Sequence, residues 1–162
     1  TPVTDVLLHV PIFSLLTSRE LQRVAQAMHL RKYAKGECVI RGGAAQSGFY
    51  VIVKGAVNVV SRTGSVVGTL YSPELIGEFA LLDDSPRSSS LIAAESSELI
   101  GFFKPDLMDI LITNPELGCK ILLRISEEMA CSLQRDYTRL CTMGLPFDSL
   151  GKKGVVMDPI AQ

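Results

Sequence analysis

The sequence predicts a mainly β fold with flanking α-helices: an antiparallel β-roll or jelly-roll barrel with an N-terminal helix and C-terminal helices. Between about residues 30 and 103, short apolar runs rich in Val and Ile alternate with turn residues. Runs of this length between turns are typical of an all-β sandwich or barrel, and the intervals are too short for the crossover helices of a parallel sheet. The clearest runs are 38–40, 49–53, 57–60, 66–71, 91–94 and 99–103.

A helix is predicted near the N-terminus. Thr17 is followed three residues later by Glu20, which is the spacing of a capping box. The residues after it form an apolar stripe of helical period: Leu21, Val24, Ala25 and Met28. Residues 11–13, Pro-Ile-Phe, provide the entry segment to this helix.

Two helices are predicted after residue 104. The first covers 106–113 and is ended by Asn114-Pro115. The second runs from about 117 to 140, with apolar residues at 122, 125, 129 and 133. Residues 122, 125, 129, 132, 136 and 140 form a rough seam of heptad character that Ser132 and Asp136 interrupt. The seam is compatible with a helix packed on its own roll, but we favour a helix that pairs with that of a second copy in a homodimer.

The chain has the length of one domain, because 162 residues can bury a full core without metal or disulfide support. We expect a domain at 1–140, with the roll at about 30–103 and the C-terminal helices at about 104–140. Residues 141–162 have no sustained period and contain Gly144, Pro146, Gly151, Gly154 and Pro159. We interpret them as a tail or linker.

Composition excludes several classes of function. A net charge of −1 argues against a basic nucleic-acid face over the whole domain, and no apolar run is long enough to span a membrane. Four cysteines without CxxC spacing indicate reduced thiols in a cytoplasmic protein. The two histidines, His9 and His29, are expected outside the strands, which argues against a metal site, a cupin-like enzyme and Ser–His–Asp chemistry. We therefore predict no metal and no catalysis.

The segment 75–90 contains the most specific chemistry in the sequence. Arg87 is a permanent cation whose planar fork of donors suits a phosphate. Gly77 allows a ligand to approach the backbone closely, and a single helical turn over 78–82 would direct free amides at an anion. Glu78 is an acceptor suited to a ribose hydroxyl. A sugar phosphate needs a cation, a cradle of amides and a hydroxyl acceptor, and this segment contains all three. The simpler alternative is a surface salt bridge between Glu78 and Arg87.

This segment resembles the phosphate-binding cassette of the cyclic nucleotide-binding domain family. The matching residues are Ile76-Gly77-Glu78-Phe79-Ala80-Leu81 and Pro86-Arg87-Ser88-Ser89, with Glu78 nine positions before Arg87. Four other segments resemble the family or its catabolite-activator-like members, so that the likeness covers about residues 7 to 140: 10–21, Gly36-Glu37-Cys38-Val39-Ile40, 48–55, and Asn114-Pro115 with 124–130. Pro73 departs from the pattern, because the family usually has a glycine before the cassette.

The resemblance implies a role for each cassette residue. Glu78 would bind the ribose 2′-hydroxyl, and Arg87 would neutralise the cyclic phosphate. Amides of Gly77, Ala80 and Ser88 would complete the phosphate cradle, and Phe79 lies in the same turn. Cyclic AMP is the expected ligand and cyclic GMP the alternative, since Ser88 occurs with both in relatives.

A base contact is expected from the last helix, at Asp136 and Tyr137. Asp136 would accept from an exocyclic amine and Tyr137 would stack on the ring. The alternative at these positions is a solvated carboxylate and a packed or exposed tyrosine.

The resemblance also implies a regulatory function. Ligand binding would reposition the C-terminal helices to control an effector domain or partner protein outside this sequence. Residues 141–162 are too few for a helix-turn-helix, so no DNA-binding domain is expected in this chain. The alternative is a β-roll module for protein interaction or dimerisation that binds no nucleotide.

Overall fold

The computed structural model describes residues 2–44, 47–82 and 86–144, and for Pro2, Glu78 and Phe79 it describes the backbone alone. The chain divides into two compact units, Thr1–Glu128 and Met129–Gln162. The first unit contains all eight strands that the described residues form. The second contains the C-terminal part of the last helix.

Helices lie before, within and after the strands. The α-helices are α1 (Pro2–Leu7), α2 (Ser18–Ala27), α3 (Lys104–Thr113) and α4 (Pro115–Thr142), and short 3₁₀ turns form at Pro11–Phe13 and Glu78–Leu81. The predicted capping box is confirmed: Thr17 Oγ1 accepts from the Glu20 amide, and the Glu20 carboxylate accepts from the Thr17 amide. The helix break at Asn114-Pro115 is also confirmed, since α3 ends at Thr113.

Eight strands form two antiparallel sheets of four. The strands are β1 (His29–Tyr33), β2 (Cys38–Ile40), β3 (Gly48–Lys54), β4 (Ala56–Val60), β5 (Val66–Tyr71), β6 (Leu75–Ile76), β7 (Ser90–Ala93) and β8 (Ser97–Phe103). One sheet has the order β1-β8-β3-β6 and the other β2-β7-β4-β5. Two packed antiparallel sheets with flanking helices confirm the predicted β-roll class.

Strand β3 separates two hydrophobic cores. Successive side chains of a strand point to opposite faces, so Phe49 and Val51 pack among the helices while Tyr50 and Ile52 pack between the sheets. Residues 48–52 are all buried, as expected of a strand covered on both faces. This strand therefore joins the roll to its helical layer.

The helical layer closes the outer side of the first sheet. In α4, Leu117, Ile121 and Ile125 are fully buried at helical spacing, in the same core as α2 and α3. Lys120 Nζ lies 2.6 Å from Glu20 Oε1 and links α4 to the start of α2. The Arg124 guanidinium donates to the Pro11 carbonyl. The first part of α4 is thus fixed to the N-terminal helices.

Strand β1 corrects one expectation drawn from the sequence. His29 was placed outside the strands, but it is the first residue of β1 and pairs with Gly101 of β8. Its Nε2 lies 3.1 Å from Asp106 Oδ1 at the start of α3. The sequence His-Leu-Arg-Lys-Tyr has four exposed residues, so its composition resembles a surface segment.

In the second unit, α4 continues through Thr142. Gly144, two residues later, has a φ of +66°. Most of the predicted tail, from residue 145 onward, lies outside the described residues. Among the described residues, no helix combines the length and the apolar character needed to cross a membrane.

Candidate functional site

The predicted cassette is held between the two cores of the first unit. Before it, Ile76 pairs with Tyr50 of β3 and is buried inside the roll. After it, Leu81 is fully buried in the helix-facing core. The predicted single turn is confirmed as the 3₁₀ helix Glu78–Leu81. The backbone between these two apolar side chains is therefore fixed at both ends.

Position 77 requires a glycine for two reasons. Its φ is +76°, in the left-handed region that side chains disfavour. A Cβ built there would overlap the Arg87 side chain, with the guanidinium carbon at 3.1 Å. The Gly77 carbonyl also accepts from the Ala80 amide at 3.0 Å. Glycine thus lets an arginine lie directly on the first peptide of the turn.

Arg87 is fixed through both its backbone and its side chain. Its amide donates to the Ala44 carbonyl at 3.1 Å, and its carbonyl accepts from the Gly43 amide at 2.8 Å. Its Nη2 donates to the Gly48 carbonyl at 2.5 Å. The side chain is half-buried and its Nε is fully buried. This guanidinium is therefore a preoriented cation beside the turn of the cassette.

The loop between β2 and β3 supports the cassette, and the sequence reasoning missed this contribution. Gly42 donates its amide to Ser90 Oγ at 2.8 Å, which adds to the bonds of Gly43 and Ala44. The Gly48 carbonyl is an acceptor for Arg87 from the start of β3. Gly42-Gly43 signalled a turn, but no sequence pattern related that turn or a backbone carbonyl to an arginine about 40 positions away.

The predicted ligand-binding residues are partly brought together. Gly77 and Arg87 are in direct contact. The Ala80 amide is engaged within the turn, and Ser88 is exposed one residue after Arg87. For Glu78 and Phe79 the structure places the backbone in the turn, while residues 83–85 of the predicted sharp bend lie outside the described residues. The binding roles of these residues remain predictions.

A tyrosine pair lies beneath the strand that leads into the cassette. Tyr50, the partner of Ile76, shares a hydrogen bond with Tyr33 of β1. Burial, and next the proximity of Tyr50, raise the pKa of the Tyr33 phenol to about 12. The Tyr33 phenol is thus a neutral support of the roll and supplies no charge.

The predicted base contacts belong to the second unit. Asp136 is exposed and Tyr137 is half-buried on α4. A hydrogen bond with the Cys141 thiol, one helical turn away, is the main cause that raises the pKa of Tyr137. A contact of either residue with a base stays a prediction.

The described residues offer no metal centre. No group of three or more His, Cys, Asp or Glu side chains among residues 2–44, 47–82 and 86–144 is arranged to hold an ion. The four cysteines are exposed free thiols. His29 is instead engaged with Asp106, whose carboxylate also accepts from the Phe103 amide and so caps α3.

Comparison with known sequences relates this chain to one domain family and to protein kinases and their regulatory subunits. The family model for the cyclic nucleotide-binding domain matches residues 30–114. The cAMP-dependent protein kinase regulatory subunit of Mycosarcoma maydis is 36% identical over 95 residues, which are 57% of this chain and 18% of that protein. Human cGMP-dependent protein kinase 2 is 32% identical over 92 residues, 54% of this chain and 12% of that protein. This chain therefore spans about a fifth or less of these relatives.

Comparison with solved structures gives the same fold. The N-terminal domain of a transcriptional regulator from Streptomyces coelicolor A3(2) has a TM-score of 0.72 at 24% identity, over 81% of this chain and 94% of that one. The catabolite activator protein of Thermus thermophilus has a TM-score of 0.69 at 24% identity, over 83% and 63% of the two chains.

Proposed function

Because the chain belongs to the cyclic nucleotide-binding domain family, we propose that it is a sensor whose cassette binds a cyclic nucleotide through Arg87. The observation that carries this proposal is the position of the Arg87 guanidinium against Gly77. A fixed cation next to a turn of backbone amides is suited to an anionic phosphate. Charge-assisted hydrogen bonds of this kind contribute about 1.5–3 kcal/mol each.

The Arg87 guanidinium has donors for a phosphate beside the one that it gives to the Gly48 carbonyl. A guanidinium has five N–H donors, and one of them is donated to Gly48 in this structure. A phosphate oxygen is a stronger acceptor than a neutral carbonyl because it is charged. The phosphate would therefore be a charged acceptor for the guanidinium, while the backbone bonds of Arg87 to Gly43 and Ala44 hold the residue in place.

The remaining cassette residues complete the proposed site. Glu78 accepts from the ribose 2′-hydroxyl, and amides of Gly77, Ala80 and Ser88 surround the phosphate with Phe79 in the same turn. Asp136 and Tyr137 are proposed as base contacts. We propose cyclic AMP as the ligand and cyclic GMP as the weaker alternative, because cAMP-dependent kinase regulatory subunits are prominent among the relatives while a cGMP-dependent kinase is also similar.

The proposed output is a movement of the C-terminal helices. Gly48 and Ser47 connect the cassette to α3: Gly48 accepts from Arg87, and the Ser47 carbonyl accepts from the Lys104 amide, which begins α3. The carbonyl that accepts from Arg87 is thus adjacent in sequence to the carbonyl that accepts from the first residue of α3. The ligand can shift such an equilibrium only by its differential affinity for the two arrangements, typically about 1–3 kcal/mol.

The effector and the surroundings of the module are also proposals. We propose that residues 1–140 form the ligand-binding domain, that the long helix pairs in a homodimer, and that the regulated partner is a separate domain or protein. We propose a non-catalytic, metal-free role in the cytoplasm, where reduced thiols such as the four exposed cysteines persist.

Calorimetric titration of the nucleotide-free chain with cyclic AMP and cyclic GMP tests the proposal. We expect binding to the parent chain and a loss of at least about tenfold in Arg87→Ala, equivalent to about 1.4 kcal/mol. Arg19→Ala, which removes an exposed arginine of α2, is the matched control and should bind as the parent does. Glu78→Ala should weaken binding through the ribose.

Two results would contradict the proposal. Binding that survives in the double variant of Arg87 and Glu78 would assign the ligand to another surface. The absence of heat with either nucleotide, in a folded chain, would favour the alternative function as a protein-interaction module.

A further inference from the structure

The four sheet edges of the roll are unequal. The sheet orders leave β1, β6, β2 and β5 with a strand partner on one side only among the described residues. Exposed edges invite pairing with other chains, and proteins protect them with charges, short strands or irregular pairing. β6 has two residues, β2 has three and an irregular register, and β1 carries Arg31 and Lys32. Three edges are thus protected.

Strand β5 is the least protected edge, because its pairing with β4 is irregular only near its start, between Val66 and Gly68. Its six residues, Val-Val-Gly-Thr-Leu-Tyr, contain no charge and no proline. Val67 is 65% exposed and Tyr71 is 60% exposed. Leu70 packs inside the roll, so the alternation of the regularly paired residues places Thr69 and Tyr71 on the outer face. This edge presents apolar side chains together with its backbone.

Backbone groups of β5 also face away from β4. The Tyr71 amide donates to the Glu74 carboxylate at 2.5 Å, and the amide of its register partner Ala56 donates to Ser97 Oγ. Tyr71 and Ala56 therefore form a non-hydrogen-bonded pair. Such pairs alternate in an antiparallel ladder, so Thr69 and Asn58 form the next one. The peptide groups of Thr69 consequently point to the open edge.

We propose that β5 pairs antiparallel with β5 of a second copy of this chain, so that the β2-β7-β4-β5 sheets of the two copies become one continuous sheet. The charges at its two ends favour this occupant. Arg62 lies in the turn before β5, and Glu74 lies just after its last residue. Antiparallel pairing brings the Arg62 end of each strand next to the Glu74 end of the other, whereas parallel pairing would bring like charges together.

By its symmetry, each β5 edge can pair with only one other β5 edge. Each copy offers the same edge, so the interface is isologous and closes on itself. The protected edge at β2 prevents the joined sheet from growing further. A six-residue edge is smaller than a standard interface of about 1,200–2,000 Å², so the association is weak and depends on concentration. It does not depend on the proposed nucleotide function.

Sedimentation of the whole chain over micromolar to millimolar concentrations tests this proposal. We expect an association step that Val67→Lys weakens by at least about tenfold, because each copy then brings an added like charge to the paired edge. Leu30→Lys is the matched control: it adds the same charge at an exposed apolar position of the β1 edge and should leave the step unchanged. Circular dichroism verifies that both variants fold.

Charge reversal at two positions outside β5 supplies a second test. Arg62→Glu should weaken the association, and an equimolar mixture of Arg62→Glu with Glu74→Arg should restore it, because unlike charges then meet at both ends. A chain that stays monomeric throughout would overturn the proposal. So would an association that persists in Val67→Lys, or one that Leu133→Lys in α4 removes while Val67→Lys does not.

Discussion

The guanidinium of Arg87 lies on the α-carbon of Gly77, so closely that a methyl group at position 77 would overlap it. The two residues are ten positions apart and belong to the two halves of the cassette. Their contact means that the shape of the turn and the position of the cation are set together. A change at either residue therefore affects both the backbone amides and the charge that the proposed ligand meets.

Gly77→Ala should lose both stability and ligand binding. A left-handed φ costs a non-glycine residue about 1–2 kcal/mol, and the methyl group also displaces Arg87. Gly64→Ala is the matched control, because its φ of +85° is similar but nothing lies within 4 Å of the added carbon. We expect comparable destabilisation from the φ alone, with nucleotide affinity lowered only in Gly77→Ala. Equal affinities in the two variants, measured by calorimetry, would separate Gly77 from the site.

Leu81→Ala should destabilise the chain by about 2–5 kcal/mol, since a fully buried leucine leaves a cavity when it is truncated. The neighbouring Leu82, which is 39% exposed, provides the comparison and should cost far less. Urea unfolding followed by circular dichroism gives both values. A small cost at Leu81 would indicate that the turn of the cassette is not anchored in the helix-facing core.

The Glu20–Lys120 ion pair should add stability within a defined pH window. The hydrogen bond with Lys120 is the main cause that lowers the pKa of Glu20, and the same bond raises the pKa of Lys120. The contribution of Glu20 is present above its ordinary pKa of 4.5 and is lost as pH falls below that value. That of Lys120 is present below 10.5 and is lost as pH rises beyond it.

Lys120→Met tests this window through the melting temperature measured from acid to alkaline pH. We expect the difference from the parent chain to be largest near neutral pH and to shrink at both extremes. Lys32→Met, at a looser and more exposed pair with Glu98, should give a smaller difference. A difference that stays constant across pH would mean that Lys120 stabilises the chain by packing alone.

Tyr33 should ionise late in the alkaline titration of the folded roll. Burial raises its pKa to about 12 from the ordinary value of 10.0. The stability that the neutral phenol contributes is complete below pH 10.0 and disappears as pH rises toward 12. Ultraviolet titration should show a late phenolate step that Tyr33→Phe removes. Tyr71→Phe, at a 60% exposed tyrosine, should leave that step in place.

The sequence predicted those parts of the fold that depend on local chemistry. The capping box of Thr17 and Glu20, the end of α3 before Asn114-Pro115, and the bounds of β5 each follow from neighbouring residues. β1 was missed because four of its five residues are exposed, so no alternation marks it. β6 has only two residues, and no periodicity can be read from so short a strand.

The candidate site was predictable to the extent that its residues adjoin in sequence. Gly77 and Arg87 were identified from the chemistry of one short segment. The Gly48 carbonyl and the Gly43 and Ala44 peptides act through backbone atoms, which every residue possesses and no composition reveals. Their role depends on the pairing of β2 and β3 with distant strands, and only a folded chain brings that pairing about.

Because β3 sends alternate side chains into two cores, it acts as a shared wall between the roll and the helices. Neither the roll nor the helical layer can unfold alone, because the unfolding of either one would expose one face of β3. The amides of β3 should therefore exchange with solvent deuterium only through global unfolding, whereas those of β5 should exchange through smaller openings. The ligand proposed to act on Arg87 and Gly48 would therefore displace a strand that does not unfold locally. Such a strand can transmit the displacement to α3.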